Sequence, residues 1–107
     1  VSEAATLRID KWLWHARLAK TRSLAARLCA AGLVELGDRI VVKPSQAVQI
    51  GSQITVVRGR HRCRVEVLAL GSRRGPAAEA QALYYEIAPP ELLSRIPEDW
   101  VPLLADD

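Results

Sequence analysis

The sequence predicts an α+β domain in which two N-terminal helices pack on a short mixed or antiparallel sheet. Three observations predict it. Two neighbouring stretches near the start carry apolar residues at helical spacing. Several short runs of β-type residues follow, separated by glycine and proline. The length of 107 residues suits one core and seldom divides into two.

The first helix starts at Arg8. RIDKWLWHARLA places Ile9, Trp12, Leu13 and Ala16 on one stripe, with Arg8, Lys11 and His15 on another side. Thr21 is positioned as the N-cap of the second helix, its side chain able to accept an orphan backbone amide, and Leu24, Leu28 and Ala31 form the stripe to be buried. Gly32 ends that helix, because glycine readily takes the left-handed conformation at a helix terminus. The link between the helices is short, so they pack against each other as a hairpin or corner.

Strands come next. LVEL and RIVV flank a Gly37-Asp38 turn, and Lys43-Pro44-Ser45 cuts the second run short. QAVQIGSQITVV holds a Gly51-Ser52 turn between two apolar runs. RCRVEVLAL alternates Cys63, Val65 and Val67 with Arg62, Arg64 and Glu66, the pattern of a half-exposed strand. After Gly71 the composition changes: SRRGP is a turn or loop, PAAEAQAL starts a short helix with proline at its tolerant first position, and YYEI is either a strand or that helix's continuation. The remainder, APPELLSRIPEDWVPLLADD, holds four of the six prolines. It is expected as an irregular tail with one helical turn, laid over the core through Trp100, Leu103 and Leu104. The division is thus 7–70 for the domain and 71–107 for a C-terminal extension.

Charge is distributed unevenly. The net charge is +3, yet residues 1–64 hold twelve Lys/Arg against four acids, while residues 65–107 hold three against eight. A basic portion beside an acidic one points to a polyanionic partner for the first. No apolar run approaches the ~20 residues that span a bilayer, and the start lacks a secretory pattern, so a cytoplasmic protein without a membrane partner is expected. Cys29 and Cys63 stand far apart in a chain large enough to fold without staples, so reduced thiols are expected. The His61–Cys63 triplet lacks paired ligand spacings, so neither a metal nor any other cofactor is expected.

RIDKWLWHARLAKTRSLAARLCAAGLVEL resembles the two helices and first strand of the RNA-binding domain named after small-subunit ribosomal protein S-four. Together with RRGPAAEAQALYYE, the string is similar to the ribosome-associated heat-shock protein fifteen group within that superfamily. The resemblance covers roughly residues 7–87 and implies the small αL RNA-binding fold. It also implies an RNA face: Arg8 and Lys11 on the first helix, Arg17 and Lys20 at the inter-helix link, Thr21, Arg22 and Ser23 at the start of the second helix, Arg27 one turn on, and Lys43 before its proline. The implied partner is ribosomal RNA of the large ribosomal subunit, extending to bound transfer RNA, in the rescue of stalled large subunits during heat shock. Two departures stand out. The family's V-x-V-N-G hairpin is replaced by Val34-Glu35-Leu36-Gly37-Asp38, and where members of the group often continue into a basic C-terminal extension the sequence here reads to Asp106 and Asp107, so no role of that extension is carried over.

The chemistry of these positions supports such a face independently. A helix start presents unpaired N–H groups and partial positive charge, to which Arg22 adds a forked donor and Ser23 a hydroxyl. Paired A-form RNA hides its base edges in a deep groove, so this surface would read phosphates, 2′-hydroxyls and shape. Other residues have plainer readings. Trp12 belongs to the core, and Trp14 favours packing over base stacking. His15 either touches phosphate or is an exposed residue without a role. Arg58, Arg60, His61, Arg62 and Arg64 form either a second RNA contact or a solvated hairpin. Arg73 and Arg74 flank a Gly-Pro turn that serves RNA binding or structure.

Three rivals remain. Such domains are attached to RNA-modifying enzymes, but no phosphate-cradling glycine loop or nucleophile–base pair occurs here, so a non-enzymatic protein is expected. A DNA-binding helix pair is the second rival. The third is a protein-interaction adaptor working through the acidic, apolar tail; an RNA-binding adaptor or accessory domain of an RNA-modifying system is a further alternative.

Overall fold

In the computed structural model of the chain, the described residues are 5–93. In order they form strand β1 (Leu7–Arg8), helices α1 (Ile9–His15) and α2 (Arg22–Ala30), strands β2 (Val34–Leu36), β3 (Arg39–Ile40), β4 (Ala47–Val48), β5 (Gln53–Arg58) and β6 (His61–Val67), helix α3 (Ala77–Gln81) and strand β7 (Tyr84–Leu92). The architecture is the expected α+β one, with the two helices packed together over a sheet. That sheet has five antiparallel strands in the order β3-β2-β5-β6-β7.

The apolar stripes dictate the packing. Ile9, Trp12, Leu13 and Ala16 of α1 and its C-cap are at most 1% exposed, and Leu24, Ala25, Leu28 and Cys29 of α2 are buried with them. From the sheet, alternation brings Ile54, Val56, Cys63, Val65 and Val67 into the same core. Each fully buried aliphatic side chain contributes about 1.5–3 kcal/mol of transfer free energy. Trp12 anchors the centre: its Nε1–H donates to the Ala69 carbonyl at 2.9 Å, and its ring stands edge-on to Tyr84 with centroids 6.5 Å apart.

Helices α1 and α2 end in the same hydrogen-bond motif. In α2, Leu33 N–H reaches the Leu28 carbonyl (3.0 Å) and Gly32 N–H the Cys29 carbonyl (3.1 Å), the paired bonds of a Schellman terminus. In α1, Leu18 N–H reaches Leu13 (2.9 Å) and Arg17 N–H reaches Trp14 (3.2 Å) in the same way. The pivot residue must take positive φ: Gly32 does so at +77°, and at the end of α1 Arg17 does so at +59°. Among the described residues Arg17 is the one non-glycine with positive φ.

Two expectations are corrected, and the Gly51-Ser52 turn is found to join strands of different sheets: β4 pairs with β1, as a separate two-stranded sheet, while β5 belongs to the larger one. The cause lies in α1, whose first amides, Ile9 and Asp10, donate to the carbonyls of Gln46 and Pro44 and tie that segment to the helix start. His15 is 1% exposed rather than on the surface. The proposed irregular tail begins later than expected, because Ala88–Leu92 continue β7 from Tyr84. Prolines 89 and 90 are tolerated there because β7 lies at the sheet's edge, and the pairing register shifts beside them, between Arg62 and Arg64. The expected helical turn and the contacts of Trp100, Leu103 and Leu104 lie outside the described residues.

Candidate nucleic-acid interface

The starts of α1 and α2 meet at one carboxylate. Asp10, in the first turn of α1, is 3% exposed, and Arg8 just ahead of it donates to both its oxygens, Nε to Oδ1 at 3.1 Å and Nη2 to Oδ2 at 2.9 Å. Arg22, the first residue of α2, brings its Nε to 3.8 Å from the same Oδ2. Both arginine side chains keep about half their surface in water, at 50% and 45%. Two of the predicted cations are therefore oriented by an internal acid rather than standing free. Charge alone does not reveal Asp10's part, since in the sequence it is one acid among many basic residues.

Thr21 caps α2, its Oγ1 accepting the Leu24 N–H at 2.9 Å. The cap answers one orphan amide of the first turn; those of Arg22 and Ser23 lie ahead of it on exposed residues. Lys20, Ser23 and Arg27 are also exposed, and Lys11 is half-buried along α1. Lys43 opens the turn whose Pro44 and Gln46 carbonyls take the first amides of α1, so that turn is held beside Arg8 and Asp10. Arg17, exposed at the end of α1, is directed elsewhere: its Nε donates to the Gly75 carbonyl at 2.7 Å, in the loop before α3. The structure thus gathers Arg8, Arg22 and the Lys43 turn around Asp10, with Arg17 at the far end of α1.

The remaining candidates separate. His15 points inward with Nδ1 3.2 Å from the Leu70 carbonyl; since a carbonyl only accepts, Nδ1 carries the proton and Nε2 is left without a partner among the described residues. Arg73 is paired with Glu79 at 2.9 Å, and that contact holds the Glu79 carboxyl below the usual carboxylate range. Arg62 and Arg64 project from the outer face of β6, Arg62 lying 3.7 Å from Glu91. Cys29 and Cys63 are free and buried. Burial, and to a lesser degree Asp10, push the Cys29 thiol up to about 12. No helix among the described residues is long and apolar enough to cross a membrane, and no three of their His, Cys, Asp or Glu side chains are grouped to hold a metal ion.

A helix pair over an antiparallel sheet, with basic side chains at the helix starts, defines a protein carrying an S4-type RNA-binding domain, and the S4 domain family model matches residues 7–54. The likeness extends further. The chain is 42% identical over 86 residues to heat shock protein 15 of Escherichia coli strain K12, covering 79% of this chain and 63% of that protein. It is 38% identical over 80 residues to the heat shock protein 15 homolog of Haemophilus influenzae, covering 75% and 60%. The trimeric structure of Vibrio cholerae heat shock protein 15 superposes with a TM-score of 0.73 at 42% identity, covering 78% of this chain and 84% of that one. The chain belongs to the heat shock protein 15 family. It spans less than two thirds of the length of the curated relatives it matches.

Proposed function

We propose that this protein binds structured ribosomal RNA on the large ribosomal subunit, without catalysing a reaction, and serves there in the rescue of stalled subunits that retain a nascent chain on transfer RNA. The observation that carries the RNA-binding reading is the junction at Asp10. A buried carboxylate fixes Arg8 and Arg22 so that half of each side chain still faces water, next to the amides of α2 and the turn of Lys43. Phosphates meeting such a surface find donors already oriented, and released counterions supply much of the affinity. The rescue role rests on family membership.

The test is sedimentation of the protein with purified large subunits across a salt series, in parent and in the Lys11→Ala/Lys20→Ala variant. Binding to free large subunits is expected, with a log–log salt slope that falls by roughly 0.7–0.9 for each phosphate the variant no longer neutralises. An unchanged slope would move the RNA face elsewhere, and absence from large subunits would reject the assignment of partner.

A further inference from the structure

A groove of about 750 Å³ runs between the α1–α2 link, the β5–β6 hairpin and the loop before α3. Four basic side chains line it, Arg17 and Lys20 from the link, Arg58 from the hairpin and Arg74 from the loop, and no acidic side chain among the described residues does. Their convergence follows from register. Arg58 is paired with His61 at the hairpin's end, two residues beyond the Val56–Cys63 pair, so alternation turns both toward the helices while Arg62 and Arg64 face outward. Arg58 also lies near the Cys63 thiol, whose pKa burial raises and this guanidinium lowers. Arg74 carries a buried Nε with no acceptor among the described residues. Between the cations the floor is apolar, made by Leu28, Val57 and Pro90 among others.

We propose that this groove takes an unpaired nucleotide of the RNA, its base on the apolar floor and its flanking phosphates on the basic side chains that line the groove, Arg17, Lys20, Arg58 and Arg74. The inference rests on the RNA-binding reading above and adds a second site to it. Free phosphate is too small an occupant, since it would leave the floor uncovered; a paired base cannot enter, because its faces are taken by neighbours in the stack. A nucleotide splayed from a loop or strand end matches both the acid-free rim and the volume, which falls within the range of small-molecule sites. Arg17 links the groove to the helix face. Its backbone holds the left-handed conformation, and its Nε is tied to Gly75 at the mouth.

Two RNA probes test this: a blunt stem-loop, and the same stem-loop with a few unpaired nucleotides at its 3′ end. The parent is expected to bind the extended probe about tenfold more tightly, the equivalent of about 1.4 kcal/mol. Arg58→Ala and, separately, Arg74→Ala should abolish that preference while leaving blunt-probe affinity within about twofold, with thermal melting used to verify folding. If Arg74→Ala does not fold, Arg58→Ala alone decides. Blunt binding without any preference for the extension overturns the proposal. Equal losses on both probes overturn it as well, by making these arginines part of the general RNA face. Binding of neither probe by the parent rejects the RNA-binding reading and this site with it.

Discussion

The guanidinium of Arg8 holds the buried Asp10 carboxylate in a two-point grip, and Arg22 approaches the same oxygen from the neighbouring helix. Removing the Arg8 side chain leaves that carboxylate with the weaker partner. Arg8→Ala is therefore expected to lower stability by about 1–2 kcal/mol, a charge-assisted pair discounted for its half-exposed position. Lys11→Ala should leave the melting temperature unchanged while weakening RNA binding. Denaturant titration of both variants checks this, and equal stabilities would mean that the grip contributes nothing in solution.

Arg17 occupies the pivot that glycine fills at the end of α2. Backbone and side-chain contributions separate by comparing two substitutions, since Arg17→Ala and Arg17→Gly both lose the bond to Gly75, yet only glycine relieves the positive φ. Arg17→Gly should be the more stable by about 1 kcal/mol, and both should bind RNA more weakly than the parent. An alanine variant as stable as the glycine one would show that the backbone relaxes without cost.

The Cys29 thiol, displaced upward from 9.0 to about 12, should not react with thiol reagents at pH 8 except through unfolding. Above about pH 9 the unfolded chain loses this proton while the folded chain keeps it, so stability should decline from there upward. In Cys29→Ala that part of the decline should vanish. Labelling kinetics across a denaturant series measures the first effect, and rapid labelling in native buffer would contradict the burial.

Trp12→Phe preserves a ring in the core but strands the Ala69 carbonyl that Nε1 satisfies. A loss of about 1–3 kcal/mol is expected, with RNA affinity intact. A loss of RNA binding by a fully folded variant would indicate that this ring shapes the interface.

Much of the fold is legible in the residues because local signals agree with the tertiary outcome. The stripe from Ile9 to Ala16, the Thr21 cap, Gly32 and the Cys63–Val67 alternation each state their own conformation. What escapes is what depends on a distant partner. β1 and β4 are two residues each, with no periodicity to read, and they exist because α1's first amides are answered by residues 44 and 46. His15 reads as a polar flank, yet the chain after β6 closes over it. Prolines 89 and 90 read as strand breakers, and only an edge position reconciles them with β7. In the candidate site, the basic residues are visible from composition and resemblance. The role of Asp10 in holding two of them, and the turning of Arg58 away from Arg62, require register and packing.

The outer rim formed by β7 has a bearing on how copies of this molecule can meet. Pro89 and Pro90 are adjacent, so one of them removes a donor that an incoming strand would need, and at the opposite rim β3 offers only two residues. Among the described residues, both borders are thus poor templates for a neighbour extending the ladder, which disfavours fibre-like growth from this sheet under crowding.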